Sequence, residues 1–94
     1  MITLDEARDI ANEYVSKLES EAGKALRIID EQTIEKSFGW VFFYNSKDYL
    51  ETGDFRSMLV GNAPLIVDKN DGNLHETGTA KPVSDYISDY EEKH

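Results

Sequence analysis

The chain predicts an α+β fold: an antiparallel sheet of about four strands with an N-terminal amphipathic helix and a short C-terminal helix, in the order α-β-β-β-β-α. Three observations predict it. Apolar residues recur at helical spacing across the first 22 residues. Stretches rich in β-branched and aromatic residues follow, separated by Gly, Pro and an Asn-Asp-Gly turn. A second helical stripe then closes the chain after Pro82. Ninety-four residues suffice for one compact domain, 1–94, and are too few for two that fold independently.

The first helix is expected over about 4–22. Thr3 followed by Glu6 reads as a capping box, and Asp5 and Glu6 suit the positive end of the helix dipole. Leu4, Ala7, Ala11, Tyr14, Val15, Leu18 and Ala22 form its apolar stripe, widened by Ile10, and Gly23 stops it. From Leu26 to Lys36 the period changes, and Ile28, Ile29, Thr33 and Ile34 mixed with charge suggest an edge strand. Lys36-Ser37-Phe38-Gly39 supplies turn chemistry before the most apolar run, Trp40-Val41-Phe42-Phe43-Tyr44. Alternation puts Trp40, Phe42 and Tyr44 on one face and Val41 and Phe43 on the other, so this strand is central and covered on both sides.

Residues 45–63 are polar and glycine-punctuated, with Tyr49, Leu50, Phe55, Met58 and Leu59 as anchors and a short helical turn at 57–60. A stretch of that length is either partly ordered or functional. Pro64-Leu65-Ile66-Val67 reads as the third strand, and Asn70-Asp71-Gly72 turns it into the fourth, Leu74-His75-Glu76-Thr77. Val83, Tyr86, Ile87 and Tyr90 give the last helix its i, i+3, i+4, i+7 stripe.

Charge narrows the function. Nineteen acids against ten Lys and Arg leave −9. Residues 1–22 hold six acids and two bases, and residues 82–94 hold four acids and one base, so the two ends account for −7. Nucleic-acid binding and adhesion to an anionic membrane are disfavoured, because both need Lys and Arg; a basic protein partner fits. The chain has no cysteine, which excludes disulfides and a thiol nucleophile and agrees with a reducing cytosol. Neither a signal peptide nor an apolar run of membrane-spanning length is present.

Catalytic constellations come up short. His75 precedes Glu76 but lacks the second histidine of a zinc-protease helix, and His94 is terminal. Asp68-Lys69-Asn70-Asp71-Gly72 opens like a calcium loop, yet it reaches its Gly one residue early and places Thr79 where a bidentate carboxylate belongs. A hairpin turn explains it. No glycine spacing cradles a phosphate, and no carboxylate pair is marked out, so neither a cofactor nor a metal is expected.

Two features admit two readings each. The aromatic run is core if helices cover both sheet faces; alternatively, two helices of unequal length leave one face partly open, with Trp40 or Tyr44 in a patch for a partner. Asp5, Asp9 and Glu13 form one acidic ridge, and Asp85, Asp89 and Glu92 form a second. Such ridges are either solvated faces or a landing surface for a basic protein.

Gly39-Trp40-Val41-Phe42-Phe43-Tyr44-Asn45-Ser46, then Tyr49, Gly61-Asn62-Ala63-Pro64, the Val67 strand, Gly72 and Gly78-Thr79 before Tyr86 resemble the YrhB-like family, also called immunity protein 35. The resemblance spans about 4–90. It implies a bacterial, cytoplasmic, non-enzymatic α+β domain that neutralises a cognate toxin by direct binding, as many members encoded beside polymorphic toxins are taken to do. The alternative it implies is a small heat-stable chaperone or holdase that binds exposed apolar segments of client proteins. The resemblance carries no catalytic residues. Trp40, Tyr44, Tyr49 and the segment from Glu51 to Asp54 are the candidate partner-binding residues, since they join aromatic anchors to an acidic segment. Asn62, in the family motif, joins them, although Gly61 and Asn62 also suit a backbone turn.

Overall fold

Thr3 and Glu6 close the capping box reciprocally at the start of α1 (Leu4–Ala22) in the computed structural model, which describes residues 1–58 and 62–93. Gly23, in the left-handed conformation, ends that helix. The strands are β1 (Leu26–Ile28), β2 (Ile34–Lys36), β3 (Gly39–Phe42), β4 (Tyr44–Ser46), β5 (Leu65–Asp68) and β6 (Leu74–Glu76). A six-residue helix, α2 (Lys47–Thr52), follows β4, and α3 (Val83–Lys93) closes the chain. No helix among the described residues is long and apolar enough to cross a membrane.

The α+β architecture is the expected one, but two expected strands are each divided. Asp30–Gln32 forms a 3₁₀ turn between β1 and β2, because three consecutive polar residues have nothing to bury. The aromatic run breaks at Phe43, whose carbonyl accepts from the Ile29 amide at 2.8 Å. On either side of that break the chain joins different sheets. β3 lies inside a four-stranded antiparallel sheet of order β2-β3-β5-β6, whereas β4 pairs with β1 in a two-stranded one.

The predicted alternation explains the packing. Trp40, Phe42 and Tyr44 face α1, where Ala7, Ala11 and Val15 meet them together with Leu65, Val67, Leu26 and Ile28. Two alanines on the contact stripe let the helix lie close to the sheet. Val41, Ile66 and Phe38 form the other face, under Ile87 of α3, with Ile34, Phe43, Val83 and Tyr90 half-buried around them. The two covers are unequal. The helix of 19 residues buries three of its side chains, and the one of 11 buries Ile87 alone.

The Asp68–Asn73 segment is the expected hairpin turn. Asp68 accepts from the Asn70 amide at 2.8 Å through its carboxylate, and from the Gly72 amide at 2.9 Å through its carbonyl. Between β4 and β5 the chain is more ordered than its sequence suggested. Ser46 caps α2 by accepting from the Tyr49 amide at 3.0 Å, and Asp54 caps a 3₁₀ turn at Phe55–Ser57. The helical turn expected at 57–60 falls partly on Leu59 and Val60, which with Gly61 lie outside the described residues.

Candidate functional site

The segment from Lys47 to Ser57 protrudes beside β4, and its local chemistry sets what it displays. The Ser46 cap fixes the first turn of α2, helix geometry then carries Tyr49 and Leu50 to half-buried positions, and the chain turns after Gly53 to bring Phe55 back against Tyr49. The two rings lie 6.2 Å apart, tilted by 40°. Phe55 is nevertheless 77% exposed, the most exposed aromatic side chain among the described residues.

Three carboxylates lie on the same segment. Asp48 and Glu51 project from α2, and Asp54 precedes the 3₁₀ turn. Each of the two local cations is engaged: Lys47 stands 3.9 Å from Glu51, and Arg56 reaches Asp54 at 3.1 Å. The Arg56 side chain, and next its backbone amide, hold the Asp54 carboxyl below the ordinary aspartate range. Arg56 itself is 90% exposed, so this ion pair orders the turn more than it stabilises the fold.

The sequence candidates divide into two groups. Tyr49, Glu51 and Asp54 come together on this segment. Trp40 and Tyr44 do not join them: their side chains are 6% and 5% exposed beneath α1, because alternation turns them to the fully covered face. A partner docking on this conformation meets neither ring. Asn62 is part-buried and donates from Nδ2 to the Tyr44 carbonyl, which ties the far end of the segment to β4. Phe55, one of the anchors of this polar stretch, is exposed rather than packed into the core. A lone phenylalanine among Asp, Arg and Ser was the available signal.

The acidic ridges are present and partly compensated from within. Asp5, Asp9 and Glu13 are exposed along α1, but Arg8 lies among them and grips Asp30 through Nε at 2.8 Å and a second nitrogen at 2.5 Å. Asp85, Asp89 and Glu92 are exposed along α3, where Lys81 pairs with Asp89 and rests over the Tyr86 ring. On the sheet face under α3, Tyr90 donates to Asp68 at 2.6 Å and packs between Phe38 and His75. His75 thus serves as a strand residue. No group of three or more His, Asp or Glu among the described residues is placed to hold a metal ion.

Fold and surface together define a small acidic α+β protein whose most prominent exposed feature is an aromatic pair set among carboxylates. The chain belongs to the immunity protein 35 family, whose model matches residues 5–93. It is also similar to "Uncharacterized protein YrhB" of Escherichia coli (strain K12), with 40% identity over 93 residues, covering 99% of this chain and 93% of that protein. No solved structure matches the chain.

Proposed function

We propose that the protein is a non-enzymatic immunity protein, a single domain that acts in the bacterial cytoplasm by binding and blocking a cognate toxin. Membership of the immunity protein 35 family supports the class. One observation supports the location of the contact: Phe55, 77% exposed, lies tilted against Tyr49 on a segment that also carries Asp48, Glu51 and Asp54. A protein inhibitor needs an apolar anchor that becomes desolvated at the centre of its interface and a polar rim that excludes water. Phe55 and Tyr49 provide the anchor. Asp48, Glu51 and Asp54 outnumber Lys47 and Arg56 by one, so the rim keeps a negative charge that favours a basic toxin surface, reinforced at longer range by the overall −9. Asn62 and Tyr44 position the segment, and Trp40 contributes core.

The test is binding of the toxin encoded by the neighbouring gene, measured by calorimetry and stopped-flow. The native chain forms a stable complex whose association slows with added salt. Phe55→Ala weakens it at least about tenfold while leaving the urea midpoint unchanged, because the ring buries little in the free protein. Failure to bind any neighbour-encoded toxin overturns the reading.

A second reading has its own observation. Phe38, Val41 and Ile66 form an apolar face that only the short α3 covers, with Ile34 and Phe43 half-buried at its margin. Exposure of that face would give a holdase surface. Suppression of aggregation of an unrelated client at near-equimolar ratio, without tight toxin binding, would favour it.

A further inference from the structure

The edge of the main sheet opposite β2 offers a second and separate interaction surface. β6 is the last strand in the order β2-β3-β5-β6, with β5 on one side and, among the described residues, no strand on the other. Which backbone groups face outward follows from the ladder. The Asp68 amide donates to the Asn73 carbonyl at 3.0 Å, and the Thr77 amide donates to the Pro64 carbonyl at 3.1 Å. Antiparallel pairs alternate, so Ile66 and His75 exchange the bonds between them, and the amide and carbonyl of Leu74 and Glu76 point away from β5. Among the described residues none of these four groups has a partner.

A cleft opens on each face of the sheet beside this same edge. On the α1 side, Ile10, Tyr14 and Leu74 line a hollow of about 220 Å³, where Glu13 and Lys17 balance in charge. On the α3 side, a cleft of about 350 Å³ runs between β6 and α3, lined by Ile66, Tyr86, Lys81 and Lys93 among others. Lys81 and Lys93 face Asp89, while the Glu76 carboxylate accepts from Tyr14 on the other face of the sheet at 2.8 Å. Lys81 is paired with Asp89 and also feels Asp85, which leaves Lys93 as the cation of this cleft with no ion pair among the described residues. Successive residues of a strand point to opposite faces, so a strand laid along β6 would direct alternate side chains into the two clefts.

We propose that β6 accepts an extended segment of a partner protein as a fifth strand. The apolar residues of that segment enter the hollow beside Leu74, and its alternating acidic residues enter the other cleft toward Lys93. The four outward backbone groups of Leu74 and Glu76 supply register and affinity, and the clefts supply selectivity. β6 has neither proline nor lysine to guard it, whereas β2, at the opposite edge, presents Glu35 and Lys36. This surface is independent of the Phe55 contact.

The probe is a capped heptapeptide of alternating valine and glutamate, titrated into the full-length protein and followed by amide chemical shifts. Saturable shifts at Leu74, His75 and Glu76 are expected. The valine–lysine counterpart binds at least about threefold more weakly, and Lys93→Gln narrows that difference, as an exposed ion pair would dictate. N-methylating the peptide at its valines or at its glutamates separates backbone pairing from mere contact, because only one set of amides can face β6. One methylated peptide loses at least about tenfold in affinity and the other stays near the parent. Equal behaviour of the two, no shift at β6 with millimolar peptide, or preference for the lysine peptide overturns the proposal. So does a chain that sediments as a dimer with its Leu74 and Glu76 amides already protected, since the occupant would then be a second copy.

Discussion

Gly39→Ala tests how closely the two central strands approach. Gly39 sits at φ +150°, and a Cβ built there would lie 2.1 Å from the Val67 carbonyl oxygen and 3.0 Å from the Lys69 amide nitrogen. Both are backbone atoms, so no side chain can rotate away. Relief needs about 1 Å of separation between β3 and β5, which stretches hydrogen bonds of about 2.9 Å beyond useful length. Three bonds are at risk: the Lys69 amide to the Phe38 carbonyl at 2.9 Å, and the two that the ladder places between Trp40 and Val67. At about 1 kcal/mol net each they amount to about 3 kcal/mol. An L-residue at that φ adds about 1–3 kcal/mol. The sum, about 4–6 kcal/mol, is a large share of the roughly 5–14 kcal/mol expected for a chain this long. In urea, where small domains have slopes of about 1–3 kcal/mol/M, the midpoint should fall by more than about 1 M and by up to about 6 M. Gly23→Ala is the control: its φ is +71° with nothing within 4 Å of a new Cβ, so it loses only about 1 kcal/mol for the backbone conformation. A Gly39→Ala protein that unfolds within about 1 M of the native chain, with unchanged slope, refutes the steric argument.

Two further predictions concern pH and local stability. Tyr14 is pushed up to about 12, first by burial and then by its hydrogen bond to Glu76, and burial also raises Tyr44 and Tyr90. A tyrosine pKa higher in the folded than in the unfolded chain stabilises fully below about pH 10, and the contribution is lost as pH rises toward 12. Urea midpoints should therefore fall from pH 10 to 12, less steeply in Tyr14→Phe; equal slopes contradict this assignment. Amide exchange should be faster in α3 than in α1, β3 or β5, since Ile87 alone is buried on α3, and Ile87→Ala should accelerate α3 further while α1 keeps its protection relative to the sheet. Matching exchange in α1 and α3 would show that the C-terminal helix opens only with the whole molecule.

Much of the fold was legible because its determinants are local or periodic. Thr3, Glu6 and Gly23 delimit α1 by hydrogen bonds within a few residues, and its stripe follows the helical period. The parity of Trp40, Phe42 and Tyr44 held even though the strand breaks at Phe43, since Tyr44 returns to the α1 side in the second sheet. The break was not legible. Phe43 is as strand-compatible as its neighbours, and only the pairing of β1 with β4 rather than with β3 divides the run. α2 was missed for a different reason: six residues span less than two turns, too few to display a period, so its caps, Ser46 and Gly53, were the local signs.

The surface was harder to read than the core because exposure is a relation between elements. Nothing in Asp54-Phe55-Arg56-Ser57 says that Phe55 finds only Tyr49 to touch, and nothing in the aromatic run says that Trp40 lies under the longer helix rather than the shorter. Net charge is likewise blind to place. The −9 includes Asp30 held by Arg8 and Asp89 held by Lys81, so these acids hold elements together as well as charging the surface. The same sum says nothing of where Lys93 stands, because it lies beside His75 only through the packing of α3 on β6. Topology therefore decides how an acidic chain can present two unlike surfaces. The acidic aromatic segment leaves the sheet at β4, where the chain departs for α2, whereas the open backbone edge is at β6, the last strand laid down. A basic partner is matched to the first and an acidic extended segment to the second, so occupying one need not obstruct the other.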